Sequence, residues 1–377
     1  MGFTFQFIVR LFLTMMLSVI LTPLVKLLAF KIGAVDKPSK RRINTKTMPT
    51  AGGLSIFISF SVAVLWEFHD VLDVHRIWPM LLGALIVVVT GLLDDVFEIS
   101  PLKKMLGILI ASLVIYFVAG IQISTITIPF IGVFETGWLG LPLTIIWILA
   151  ITNAVNLIDG LDGLAAGVSM ISLITIGLVS YFFLPFNGVV LAILIFSLVA
   201  AIVGFFPYNF HPATIFLGDT GALFLGFMIA VVSLQGLKNA TFISVLTPMF
   251  ILGVPITDTV YAMIRRRINN QPISSADKMH LHHRLLSLGF THRGAVLTIY
   301  AMAMVFSFIA LLMNYASTWA IILLIISTTF GLELFIELIG LVGENRQPLM
   351  RSLKFIGNRS YRQIVLKKRK EEHKKDE

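Results

Sequence analysis

The chain has 377 residues, of which 57% are hydrophobic and 13% charged, with no cysteine, and its mean hydropathy is +0.92. Such apolar usage, far above the roughly 45–50% of soluble domains, excludes a soluble globular enzyme, and the missing thiols exclude disulfides and thiolate metal sites, leaving Asp, Asn, Glu or His to hold any metal. A net charge of +9 would suggest nucleic acid in a soluble chain, but here the basic residues flank apolar runs, where anionic headgroups attract them; the expected partner is the lipid bilayer and not nucleic acid.

Apolar stretches bounded by charge, Pro or Gly predict helices over 3–30, 51–66, 77–92, 103–120, 137–151, 164–184, 188–206, 220–236, 240–263, 294–313 and 317–341. The predicted fold is therefore all-α and polytopic, with about eleven membrane spans. The first run is read as a retained helix, because it is too long for a signal-peptide core and lacks a small-residue cleavage site. The second, third and fifth runs are short for a span, so one of them is expected to be tilted, broken or misdrawn. Between the fourth and fifth, residues 121–136 alternate β-branched and small residues around Pro129 and Gly132, which predicts a short external hairpin. The expected organisation is an integral membrane domain over 1–341 and a basic tail over 342–377.

Basic residues set the expected orientation. With the N-terminus outside, the inside connections 31–50, 93–104 and 264–293 and the tail carry six, two, six and eleven Lys or Arg, and the outside connections carry only Arg76 and Lys238. That asymmetry places the tail in the cytoplasm. On this topology four polar clusters open on the cytoplasmic side: LLDDVFE, NAVNLIDGLDG, FLGDTG and HLHHR.

Each cluster has a chemical reading and a plainer one. Asp94 and Asp95 repel as neighbours, so a cation, proton or basic partner should hold them, with Glu98 a turn further on if the helix continues. They suit Mg²⁺ or the orientation and deprotonation of an attacking phosphate, and also an ordinary acidic helix end. Asn153, Asn156, Asp159 and Asp162 recur every three residues, lining one side of a helix or helical turn that Gly160 and Gly163 loosen; mixed amide and carboxylate oxygens suit a metal or sugar-nucleotide site. Asp219 precedes an apolar helix, where it serves either as the helix cap or as a metal ligand.

In HLHHR, His280, His282, His283 and Arg284 lack the spacing of a tetrahedral zinc site, and donation to a diphosphate fits better. Lys46 and Arg42, in the first connection, either reach phosphate or anchor the chain by charge. His69, His75 and His211 stand alone in the sequence and receive no role.

Taken in order, KTMPTAGG from Lys46, LLDDVFE, TNAVNLIDGLDGLAAG, FLGDTG and HLHHR resemble the polyprenyl-phosphate N-acetylhexosamine-1-phosphate transferases over most of the chain. The resemblance implies transfer of a sugar 1-phosphate from a UDP-sugar to an isoprenoid phosphate, with UMP released and Mg²⁺ required, Mn²⁺ being an alternative ion. It implies catalytic or near-catalytic places for Asp94, Asp95, Asp159, Asp162 and His282. It further implies metal ligation by Asp219 and Asn156, and substrate contacts from Lys46, Asn153, Asp159, Asp162, His280, His282, His283 and Arg284. HxHHR with its arginine resembles the branch that uses UDP-N-acetylglucosamine and undecaprenyl phosphate to start teichoic acid, O-antigen and related polymers. The implied setting is a bacterial plasma membrane with the site facing the cytoplasm; a homodimer is one assembly option. Rival readings are the pentapeptide-using branch of the same family and an ion-coupled transporter, whose charges would lie near the bilayer midplane.

Overall fold

In hydrocarbon every backbone N–H and C=O must be satisfied within the segment, so the apolar runs fold as helices. The computed structural model describes residues 5–37, 47–128, 132–184, 188–235, 242–268, 270, 280–341, 347–363 and 365–366. In chain order the helices are α1 (Phe5–Ile32), α2 (Gly53–Val62), α3 (Val74–Phe97), α4 (Pro101–Phe117), α5 (Gly140–Ile158), α6 (Leu164–Phe183), α7 (Gly188–Asn209), α8 (Gly218–Gln235), α9 (Phe242–Ile251), α10 (Gly253–Ile268), α11 (Leu281–Ser287), α12 (His292–Met313), α13 (Thr318–Ile339) and α14 (Pro348–Gly357). Among the described residues, eight helices are long and apolar enough to cross a membrane, so the protein is an all-α, multi-pass membrane protein.

Against the eleven predicted runs, the third and fifth prove longer than read, because α3 begins at Val74 and α5 continues to Ile158. The second stays short, a helix ending in a π-helical stretch at Glu67, and α4 has 17 residues. The ninth run is not one helix: Leu252 separates α9 from α10. The predicted hairpin forms, β3 (Thr125–Ile128) pairing antiparallel with β4 (Gly132–Glu135) in the register Thr125 to Glu135. A second small pair, β1 (Val35–Asp36) with β2 (Met48–Pro49), was not legible.

The chain divides into two compact units, Met1–Thr259 with Thr291–Tyr315, and Val260–Phe290 with Ala316–Glu377. In the first, α8 is the central helix: every residue from Thr220 to Leu234 is buried, with α2, α3, α5 and α6 packed around it. Its N-terminus therefore meets the ends of several helices at one place, and small residues let the backbones close in. A Cβ at Gly91 of α3 would lie 2.5 Å from the Thr220 Cα, which only glycine permits.

Candidate active site

The N-terminus of α8 is capped from another helix. Asp95, near the end of α3, accepts hydrogen bonds from the Asp219 N–H at 3.0 Å, the Thr220 N–H at 3.0 Å and the Thr220 hydroxyl at 2.5 Å. A carboxylate here meets both the orphan donors and the positive end of the helix dipole. Gly218 makes the approach possible: its φ is +72°, and a Cβ there would lie 2.7 Å from the Asp95 carboxylate. Asp219 is thus not the cap of its own helix; Asp95 takes that role and leaves the Asp219 side chain for other work.

Asp219 points into a polar cluster built from four helices. Asn156 in the last turn of α5 donates to its Oδ1 at 2.9 Å. The Lys104 ammonium of α4 bridges Asp219 and Asp94, lying 2.7 Å from Asp94 Oδ2. Asp94 and Asp95, adjacent on α3, therefore divide their tasks: one faces the cation, the other fixes α8. Lys104 was absent from the sequence reading, where it counted only as topological charge, although a lysine at the foot of an apolar helix ten residues beyond Asp94 was a signal.

The three-residue stripe does not stay on one helix face. After Ile158 the chain leaves the helix, and Gly163 at φ +77° starts α6, because two glycines in four residues favour a turn over helix continuation. Asn153 spends its amide on the Leu149 carbonyl of its own helix at 2.7 Å, so the structure does not bring it to the aspartates. Asp159 remains near them: burial first, then the charges of Asp219, Asp95 and Asp162, push its carboxyl well above the usual carboxylate range. Glu98 is exposed and ends α3 in the left-handed region at φ 48°, so it does not extend the acidic face.

Asp162 joins a different group. Its Oδ2 lies 2.8 Å from His211 Nδ1 and accepts from the Ala213 N–H at 3.1 Å, while its own N–H donates to His292 Nε2 at 3.1 Å. The two imidazoles stack at 4.1 Å with an interplanar angle of 18°, and Arg293 donates to the His211 carbonyl at 3.1 Å. One carboxylate and two imidazole ligand atoms fall within 4.8 Å of one another, a spacing that a metal could use. In this arrangement the His292 lone pair is already taken by the Asp162 N–H, and the group ties three segments together as a hydrogen-bonded latch. His211 is thus partnered and not alone, and His292 was missed because its partner Asp162 lies 130 residues away along the chain.

The histidine motif belongs to the second unit. His280 caps α11 with extended backbone, and His280 and His282 are 5% and 3% exposed. The rings of His282 and His283 lie 4.2 Å apart. Arg284 Nε donates to the Ile339 carbonyl at 2.5 Å, at the C-terminal end of α13, where a cation complements the helix dipole. Lys46 and Arg42 lie outside the described residues, as does the tail beyond Leu366.

Hard oxygen donors gathered from separate helices suit a divalent cation with incomplete protein ligation, of the kind that keeps positions for substrate oxygens. The fit is visible in the cluster itself, where a lysine ammonium already bridges Asp94 and Asp219. Asp219 with Asn156 would hold such an ion.

The fold and the site define a multi-pass membrane protein with an acidic cluster at the N-terminus of its central helix. Residues 77–237 match the glycosyl transferase family 4 model. The chain is 42% identical to the probable undecaprenyl-phosphate N-acetylglucosaminyl 1-phosphate transferase of Bacillus subtilis, over 94% of this chain and 98% of the relative. It is 36% identical to the decaprenyl-phosphate N-acetylglucosaminephosphotransferase of Mycolicibacterium smegmatis over 73% of this chain and 74% of the relative. It is 31% identical to the undecaprenyl-phosphate alpha-N-acetylglucosaminyl 1-phosphate transferase of Escherichia coli K12 over 80% of this chain and 83% of the relative. The chain belongs to glycosyl transferase family 4.

Proposed function

We propose that the protein transfers N-acetylglucosamine 1-phosphate from UDP-N-acetylglucosamine to undecaprenyl phosphate, giving undecaprenyl-diphospho-N-acetylglucosamine and UMP, as a first membrane step in cell-wall polymer synthesis. The observation that carries this reading is the convergence of Asp94 and Asp219, from two helices, on the one Lys104 ammonium, with Asn156 of a third helix donating to Asp219. The names of the relatives support the sugar and the lipid, and favour neither the pentapeptide-using branch nor a transporter. The Lys and Arg asymmetry supports a cytoplasmic site in a bacterial plasma membrane.

Phosphoryl transfer needs positioning and charge neutralisation more than covalent help. The lipid phosphate oxygen attacks the sugar-bearing phosphorus, a new P–O bond forms, and the bond to the UMP oxygen breaks. Asp94 orients that phosphate and takes its remaining proton, a light task because a phosphate monoester's second pKa is about 6. Lys104 stands beside Asp94, where its charge favours the incoming anion. Mg²⁺ bound at Asp219 and Asn156, with Mn²⁺ as substitute, would neutralise the diphosphate. Asp159 and Asp162 shape the nucleotide side, and His282, His283 and Arg284 have the donor chemistry that a diphosphate takes. A membrane location follows from the substrates, since one is soluble and the other cannot leave the bilayer.

Purified protein with radiolabelled UDP-N-acetylglucosamine, undecaprenyl phosphate and Mg²⁺ should yield lipid-linked label and UMP in equal amounts. Folded protein that yields neither would overturn the assignment. Label trapped on Asp94 or Asp95 without lipid would replace direct attack by a covalent aspartyl route.

A further inference from the structure

In the second unit, α14 is fixed at its N-terminus by a buried acid. Glu337, 3% exposed and in the last turn of the apolar span α13, accepts from the Leu349 N–H at 2.8 Å and the Met350 N–H at 2.7 Å. Its carbonyl accepts from the Gln347 side chain at 2.9 Å. A carboxylate in this place satisfies orphan donors of α14 and opposes the positive end of its dipole. The start of α14 is therefore held beside the point where α13 ends.

The helix so held is amphipathic. Leu349, Leu353 and Ile356 follow one another at four- and three-residue spacing on one face, and Arg351 and Lys354 share the opposite one. None of its residues is buried, and the apolar face opens outward, with Leu353 39% and Ile356 72% exposed. The charge around it has a single sign: residues 345–370 hold nine Lys or Arg and no Asp or Glu.

We propose that α14 lies in the plane of the membrane surface, with the Leu349, Leu353 and Ile356 stripe at the headgroup and acyl boundary. Arg351 and Lys354 meet anionic lipid headgroups, and Glu337 sets the placement by pinning the helix to the end of α13. The occupant is lipid because the helix begins at the end of a span, and an anionic leaflet complements an unbroken basic segment. A free polar stretch would carry neither the apolar stripe nor a buried carboxylate clamp.

The absence of cysteine makes a direct test available, since Ile356→Cys on the apolar face or Arg351→Cys on the opposite one introduces the sole thiol of the protein. Each is spin-labelled and reconstituted in phosphatidylcholine vesicles with or without phosphatidylglycerol, and its accessibility to oxygen and to a water-soluble nickel chelate is measured. A label at 356 should favour oxygen and one at 351 the chelate, with the contrast larger in anionic vesicles. Equal chelate access at both positions would overturn the proposal by placing the helix in water. A label at 356 shielded from both reagents would also overturn it, because protein, such as a second copy, would then cover the face. Glu337→Gln, which removes the charge but keeps the shape, should flatten the contrast while the melting temperature stays within a few degrees. An unchanged contrast would remove Glu337 from the mechanism of placement.

Discussion

The Asp95 carboxylate and Thr220 are joined twice, through the Thr220 N–H at 3.0 Å and its hydroxyl at 2.5 Å. This pair fastens the end of α3 to the start of the central helix, and so fixes where the neighbouring Asp219 points. Asp95→Ala is expected to cost about 2–4 kcal/mol, the loss of a charged cap together with a buried hydroxyl's partner. Asp95→Asn, which keeps one acceptor oxygen, should lose roughly half as much. Thermal unfolding in detergent checks both, and equal melting temperatures for the Ala variant and the native protein would remove the capping role.

Asp94→Asn should lower kcat by about 10²–10⁴-fold, the range of a positioned general base. Unlike Asp95→Ala, it should leave the melting temperature near the native value, because Asp94 faces the cation and caps no helix. A variant that retains native kcat would take Asp94 out of the reaction.

Lys104 competes for the place where a divalent ion would sit. Lys104→Met should tighten binding of Mn²⁺, read by electron paramagnetic resonance without substrate, by about tenfold, or roughly 1.4 kcal/mol. Turnover should nonetheless fall, because the ammonium beside Asp94 is gone. Unchanged or weaker Mn²⁺ binding would show that the ammonium does not occupy the ion's position.

Asp159 gives a pH signature. Its carboxyl is held above the usual range by burial and by Asp219, Asp95 and Asp162, so the folded state keeps its proton to higher pH than the unfolded chain, whose value is about 3.9. The folded state then binds more protons, and stability falls as pH rises from about 4 through the folded value. Asn carries no such dependence. In EDTA, Asp159→Asn should melt above the native protein at pH 8, and the gap should shrink towards pH 5. A gap that does not change with pH would contradict the shift.

The latch predicts a binding defect. His292→Ala removes the acceptor of the Asp162 N–H, freeing the loop between α5 and α6. KM for UDP-N-acetylglucosamine should rise about tenfold with kcat changed less, whereas His292→Gln, whose side-chain oxygen can accept, should recover part of the loss. Steady-state kinetics over both substrates decide it, and a native KM in the Ala variant would leave the latch without a functional part.

Composition and hydropathy alone determined that this is a polytopic helical membrane protein, because in a bilayer a long apolar segment has one satisfactory backbone solution. The motifs also named most of the acidic cluster, since carboxylates and amides in an apolar chain are too costly to keep without a partner. Spacing could not assign the partners. A three-residue period put Asn153, Asn156, Asp159 and Asp162 on one face, but glycines end the helix, and the side chains go to Leu149, to Asp219 and to His211. Nor could it divide Asp94 from Asp95, or find Lys104 and His292. Those assignments depend on which helix ends meet at the N-terminus of α8, and such long-range contacts come from packing around the core, which local sequence does not encode.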